Sequence, residues 1–209
     1  MNISILTQKD GWMENYCKIL EKELEKKHNV SIVNKKSDLI GGDVCFLLGC
    51  YEIIGKNYLS LYKHNIVIHE SDLPSGRGWS PMSWQILEGK NEIPISLFEA
   101  NEKTDDGDIY FKDYISLQGN ELVDEWQKIL GNKKIEMCLK YINNIDKYFP
   151  KKQTGYISYY PKRTPSDCEL NVNKSVAEQF NLFRIVDNER YPAFFNYKGR
   201  EYILKIYIK

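Results

Sequence analysis

The stretch NIVIHESDLPSGRGWSP, Asn65 to Pro81, starts as an apolar run and ends in a loop that packs His69, Glu70, Asp72, Arg77, two glycines and two prolines together. An apolar run that closes on a polar, turn-forming segment is the signature of a buried strand at its carboxyl end. In open α/β sheets ligands bind beyond such ends. The plain alternative is a surface loop, with Gly and Pro as turn punctuation and the charges solvated.

The first half of the chain alternates short apolar runs with helical patterns, as an open parallel α/β sheet does. ISIL (Ile3 to Leu6), VSIV (Val30 to Val33) and DVCFLLG (Asp43 to Gly49) read as strands, and Trp12, Tyr16, Ile19, Leu20 and Leu24 recur at helical spacing between the first two. IIGKNYLSLY reads as a short helix or turn before the strand NIVIH. Beyond the loop, Ser80 as cap and Pro81 in the first turn open a short helix that Gly89 stops. EIPISLFEA alternates as a strand, NEKTDDGD is an acidic turn-rich loop, and IYFKDYISL is strand again. Residues 121–145 carry a long helical pattern whose Leu122, Trp126, Leu130, Met137, Leu139 and Ile142 read as core. Past KYFPKKQTG the composition turns to Tyr, Pro and Lys, followed by a short helix (Val176 to Phe183) and a terminal hairpin. The expected class is α/β: a Rossmann-like open, mostly parallel sheet with helices on both faces over residues 1–150, plus a small tail module, residues 151–209, with a helix and a β-hairpin.

The 29 basic and 29 acidic side chains cancel. No broad field then favours nucleic acid or membrane, and the expected partners are small molecules. Five cysteines, odd in number and without CxxC spacing, read as reduced thiols, and no metal site is expected. No segment approaches about 20 apolar residues, and the first apolar run is too brief for a signal peptide, so a cytoplasmic location is expected. GxGxxG after the first strand, GxxxxGK[ST], GxSxG and HExxH are all missing, which removes the usual phosphate cradles, the nucleophile elbow and the zincin pair.

Two readings of His69 stand side by side: a strand-end histidine bonded to a backbone carbonyl, or a proton-handling group near neutral pH. The second gains weight from TDDGDIY, one helix and one strand further on, a separation at which two loops can meet on one sheet edge. An imidazole facing a carboxylate can take and relay a proton, typically for about 10²–10⁴-fold in rate.

The run HESDLPSGRGWSPMSWQILEGKNEIPISLFEANEKTDDGDIY resembles the signature of the folate-dependent formyltransferases: a strand ending in an asparagine, one residue and a histidine, then SLLP, a Gly/Arg turn, a helix, a strand and DxGxI. KRTPSDCELN and NLFRIVDNERYPAFFNYKG resemble the carboxyl-terminal region of the methionyl-tRNA enzymes and their sugar-modifying relatives. The likeness thus runs over nearly the whole chain. Carried over by position, it implies that His69 and Asp105 are catalytic. Where the family has its asparagine this chain has Val67, which leaves Asn65 as the nearest candidate for that role.

The resemblance implies attack of a substrate amine on the formyl carbon of N10-formyltetrahydrofolate, a tetrahedral oxyanion, and release of tetrahydrofolate, with no metal. It places the pterin near 80–84 and 99–104, with Met82, Trp84, Phe98 and Thr104 as candidate folate contacts. Ser71, Arg77 and Trp79 are candidate substrate contacts, with Arg77 directed at a phosphate. Tyr156, Tyr159 and Tyr160 are expected to stack on a base or sugar while Lys162 and Arg163 meet a pyrophosphate; the alternative is that this aromatic segment packs the tail onto the sheet. HESDLP in place of HxSLLP, with the short tail, points to a nucleotide-linked amino sugar. A 4-amino-4,6-dideoxyhexose on dTDP or GDP, used in bacterial surface polysaccharide, is the leading expectation. Glycinamide ribonucleotide formylation and a folate-binding or deformylating role without transfer are the alternatives. A homodimer is a family expectation.

Overall fold

The computed structural model describes residues 1–209. Strand β1 (Asn2–Leu6) leads into helix α1 (Glu14–Leu24), β2 (Asn29–Val33) and β3 (Gly42–Leu47). A single turn, α2 (Lys56–Leu59), precedes β4 (Tyr62–His69), which ends on the histidine of the opening stretch. The loop then makes a two-residue strand, β5 (Arg77–Gly78), and α3 (Pro81–Leu87). β6 (Glu92–Glu99), β7 (Ile109–Ser116) and the long α4 (Val123–Asn143) complete the first unit. The tail contributes β8 (Tyr159–Tyr160), α5 (Phe180–Ile185) and the hairpin of β9 (Ala193–Tyr197) and β10 (Arg200–Leu204).

The main sheet runs β2-β1-β3-β4-β6-β7. Its first four members are parallel, whereas β6 and β7 are antiparallel additions. The order reverses beside β1, the switch point at which open sheets leave a crevice. Alternation along β4 sorts its side chains: Ile66 and Ile68 join the core under α1 and α4, while Val67 packs with the smaller cluster on the opposite face.

Three hydrophobic clusters show where the stability lies. The largest has 26 buried residues, the opposite face has six, and the tail has five. Five residues are far too few to hold a module alone, so the tail depends on docking. It docks through Trp126, whose indole N–H donates to the Arg184 carbonyl at 2.7 Å, and through the buried Arg184–Glu121 pair at 3.3 Å. In α4, Gly131 leaves room for the Tyr16 ring; a Cβ there would lie 2.6 Å from ring carbons.

Local expectations were met unevenly. Pro81 opens α3 and Gly89, at φ +83°, follows its end. Ser80 is not a side-chain cap: it sits at φ 49° and makes no capping bond, because the backbone must turn left-handed to leave β5. The tail helix divides into a 3₁₀ turn (Ala177–Gln179) and α5, so it starts and ends later than its apolar pattern suggests. Residues 151–160 also belong physically to the first unit, since Lys151 bridges Ile109 and β8 pairs with β5.

Candidate active site

A cavity of about 490 Å³ opens at the carboxyl ends of β3 and β4. It straddles the sheet edge. Its lining divides between the two faces of the sheet, the chain after β3 (Gly49–Ile54) with Asn101–Asp105 on one, and Trp12, Glu70, Lys134, Trp126 and the tail residues Arg163 and Tyr191 on the helix side; the space beside each set is termed a lobe.

His69 sits at the junction, 7% exposed. Its Nε2 lies 2.8 Å from the Gly76 carbonyl and 3.8 Å from Asp105 Oδ2. A carbonyl can only accept, so Nε2 carries the hydrogen and the neutral ring keeps its lone pair on Nδ1. The carbonyl bond of the first reading of His69 is thus present, together with the facing carboxylate that the second reading requires. The Gly76–Gly78 turn serves both partners, because the Gly78 N–H donates to Asp105 Oδ2 at 2.9 Å. Gly78 lies at φ +99°, and a Cβ there would come within 2.5 Å of the Tyr160 carbonyl oxygen.

Asp105 itself occupies the left-handed region, φ 51°, a conformation that costs a non-glycine residue about 1–3 kcal/mol unless its surroundings hold it. A buried network does so. Arg77, 5% exposed, reaches Asp106 Oδ1 at 2.6 Å and Gln153 Oε1 at 2.6 Å, and the Gln153 amide donates to the carbonyls of Asp105 and Gly107 at 2.8 Å each. Gly107 is required by contact: a Cβ would meet the Glu99 carbonyl oxygen at 1.5 Å.

The remaining sequence candidates divide cleanly. Met82, Phe98, Thr104, Trp79 and Arg163 line the cavity. Trp79 stacks on Tyr51 at 6.1 Å, with the Lys162 ammonium 5.1 Å above its ring. Asn65 is a correction. It lies one strand repeat behind Val67, outside the cavity, and its amide is committed to the Leu59 carbonyl at 2.9 Å. Arg77 is another, since its guanidinium is buried in the Asp105 clamp and borders a smaller cavity instead. Ser71 is buried behind the Gly76 turn. Trp84 faces the tail, stacking on Tyr160 at 6.4 Å and donating to the Pro161 carbonyl at 2.8 Å.

The tyrosines expected at the substrate do not line the cavity. Tyr156 is 81% exposed, and Tyr160 bonds Glu88 through its hydroxyl. The backbone around Tyr159 and Tyr160 holds the glycine turn instead: Arg77 N–H donates to Ser158 O at 3.0 Å and Trp79 N–H to Tyr160 O at 3.1 Å. Sequence reading missed Glu70, Lys134 and Gln153. Glu70 was visible inside the opening motif; Lys134 and Gln153 carry no local signal, because only packing brings α4 and the tail segment to the loop.

The chain is similar to known proteins over most of its length. Against the methionyl-tRNA formyltransferase of Thermodesulfovibrio yellowstonii the chain is 28% identical over 153 residues, 72% of this chain and 50% of that protein. The chain thus spans about half the length of the curated relatives it matches. Among solved structures, the methionyl-tRNA formyltransferase of Clostridium thermocellum superposes with TM-score 0.81 at 26% identity, over 96% of this chain and 90% of that one. Two more distant structures share the fold. A sugar N-formyltransferase from Shewanella sp. gives TM-score 0.75 at 13% identity, over 100% and 98% of the two chains. HypX of Aquifex aeolicus, in complex with tetrahydrofolic acid, gives 0.79 at 17% identity, over 97% of this chain and 37% of that one. A family model described as formyl transferase matches residues 8–140, which contain β4, the glycine turn, His69 and Asp105, and the chain belongs to that family.

Proposed function

We propose that the protein is an N-formyltransferase that moves a formyl group from N10-formyltetrahydrofolate to the amine of a nucleotide-linked amino sugar, with dTDP-4-amino-4,6-dideoxyglucose as the first candidate. The observation that carries this reading is the His69–Asp105 pair at the junction of two lobes of one cavity. Two co-substrates reacting with each other need such a junction. The lobe beside Gly49–Ile54 combines backbone groups with the apolar walls of Val67 and Phe98, which suits a flat heteroaromatic ring. The bound folate supplies an activated formyl carbon. His69 accepts at Nδ1 the proton lost by the attacking amine and passes it to N10 as the formyl C–N10 bond breaks and tetrahydrofolate leaves, while Asp105 and the Gly76 carbonyl stabilise the intervening cation. Val67 brings no hydrogen-bond donor, so the charge developing on the formyl oxygen falls to backbone N–H groups and protonated His69.

Balanced charge supports a small acceptor over a nucleic acid. A transfer-RNA acceptor is the second reading, carried by the identity to methionyl-tRNA enzymes. The test supplies N10-formyltetrahydrofolate with dTDP-, GDP- and UDP-linked amino sugars, glycinamide ribonucleotide and methionyl-tRNA in parallel, following tetrahydrofolate release and product mass. Formylation of an amino sugar alone, lost in His69→Ala by about 10²–10³-fold, is the expected result. Formylation of methionyl-tRNA alone would replace the sugar reading, and folate binding without turnover on any acceptor would leave a binding role.

A further inference from the structure

The helix-side lobe contains a pair of charges that the chemistry at His69 and Asp105 does not use. Glu70 follows His69 directly and points toward α1 and α4, where Lys134 meets its Oε1 at 2.5 Å. Both side chains are deeply buried, 12% and 7% exposed, and both border the cavity. A buried ion pair is a poor stabiliser, because desolvation offsets most of the attraction and apolar replacements are often as stable. A carboxylate has about four acceptor positions, and this one is bonded by Lys134, the only side chain to reach it, and by the Glu70 backbone N–H, which leaves acceptor capacity toward the cavity that it borders. The ammonium and His69 together hold the Glu70 carboxyl below its usual range despite its burial, so it is ionised at neutral pH. Around this polar point the lobe is aromatic: Trp12 lies under the Lys134 ammonium, 5.8 Å from it, and Trp126 lines the same wall. One polar edge beside flat apolar faces suits a pyranose, which has hydroxyls on its rim and C–H groups on its faces.

We infer that Glu70, held by Lys134, is the specificity-determining residue of the acceptor lobe, and that its carboxylate accepts a hydrogen bond from a hydroxyl or amine N–H of the acceptor sugar. Lys134 is a positioning residue, acting through Glu70. The inference rests on the formyl-transfer reading above. The experiment compares wild type, Glu70→Gln and the double variant Glu70→Gln/Lys134→Met, which leaves no unpaired buried charge. Tetrahydrofolate release is measured against dTDP-4-amino-4,6-dideoxyglucose and, separately, against the formyl donor, with thermal melting of each protein. The acceptor KM rises about 10- to 100-fold in both variants, while the donor KM and the melting temperature of the double variant stay near wild type. An acceptor KM within about twofold of wild type in the double variant, or a donor KM that rises in parallel, overturns the inference alone. If wild type releases no tetrahydrofolate with any acceptor, the formyl-transfer reading fails. Calorimetric titration of the same nucleotide sugar then decides the lobe: binding to wild type lost in the double variant keeps the assignment, and equal or absent binding overturns it.

Discussion

The loop that carries Asp105 and the tail that borders the helix-side lobe are both irregular chain, yet they are held in different ways. The Asp105 loop is fixed by one buried arginine, one glutamine and a glycine turn, with bonds directed at the backbone, at neighbouring carboxylates and between the arginine and the glutamine. The tail has a core of only five buried residues and rests on a few long side chains that reach across to the first unit. The proposed catalytic carboxylate thus stands on the over-determined loop, whereas the tail residues at the cavity, Arg163 and Tyr191 among them, stand on the more weakly held part.

Breaking the loop clamp gives the largest effect. Arg77→Met leaves Asp106 and Gln153 without their partner and should cost about 3 kcal/mol in stability, since it breaks a largely buried pair. It should also lower kcat by about tenfold or more through displacement of Asp105. Arg77→Lys should not restore it, because an ammonium lacks the fork that reaches both oxygens. Denaturant melts and the split between kcat and KM measure both.

The tail attachment responds to acid. Backbone hydrogen bonds and Arg184 hold the Glu121 carboxyl below its ordinary value of 4.5 despite its burial, and Glu70 is depressed through Lys134. A depressed folded value means that the stabilisation is complete above about pH 4.5 and is lost as pH falls through the lower folded values. Trp126 fluorescence followed from pH 7 downward should therefore change only below about pH 4.5, and Glu121→Gln should remove much of that dependence. A transition centred near pH 6 would place the weak point elsewhere.

Gly131→Ala tests the first unit independently of either region. Its methyl meets the Tyr16 ring, so a loss of about 1–3 kcal/mol is expected in thermal melts with no change in acceptor KM. The smallest effect belongs to Tyr156→Ala. With 81% of the side chain exposed and no place in the cavity wall, it should change stability by less than about 0.5 kcal/mol and leave both KM values unaltered. A large rise in acceptor KM would return this tyrosine to the substrate.

Much of this was legible beforehand. The six strands of the main sheet follow from apolar runs bounded by turn residues, and so do the positions of His69 and the TDDGDIY loop, because period and punctuation are local properties; Asp105 is singled out within that loop by the family resemblance, and β5, a two-residue strand inside the glycine turn, had no apolar run to announce it. What misled was residue type without position. Tyrosines and an arginine near a ligand motif suggest stacking and phosphate binding, yet Tyr159, Tyr160 and Arg77 are used to hold the glycine turn and the Asp105 loop.

The α/β class, the strand that delivers His69, valine in place of asparagine at position 67, and the glycines of the turn are all legible along the chain. Tertiary structure alone decided that Gln153 supports Asp105, that Asn65 turns away to Leu59, and that Lys134 meets Glu70. The physical reason is range. Backbone conformation and periodicity are set by neighbours along the chain, whereas the partner of a buried polar group is whichever complementary side chain packing brings within reach, from any distance in sequence.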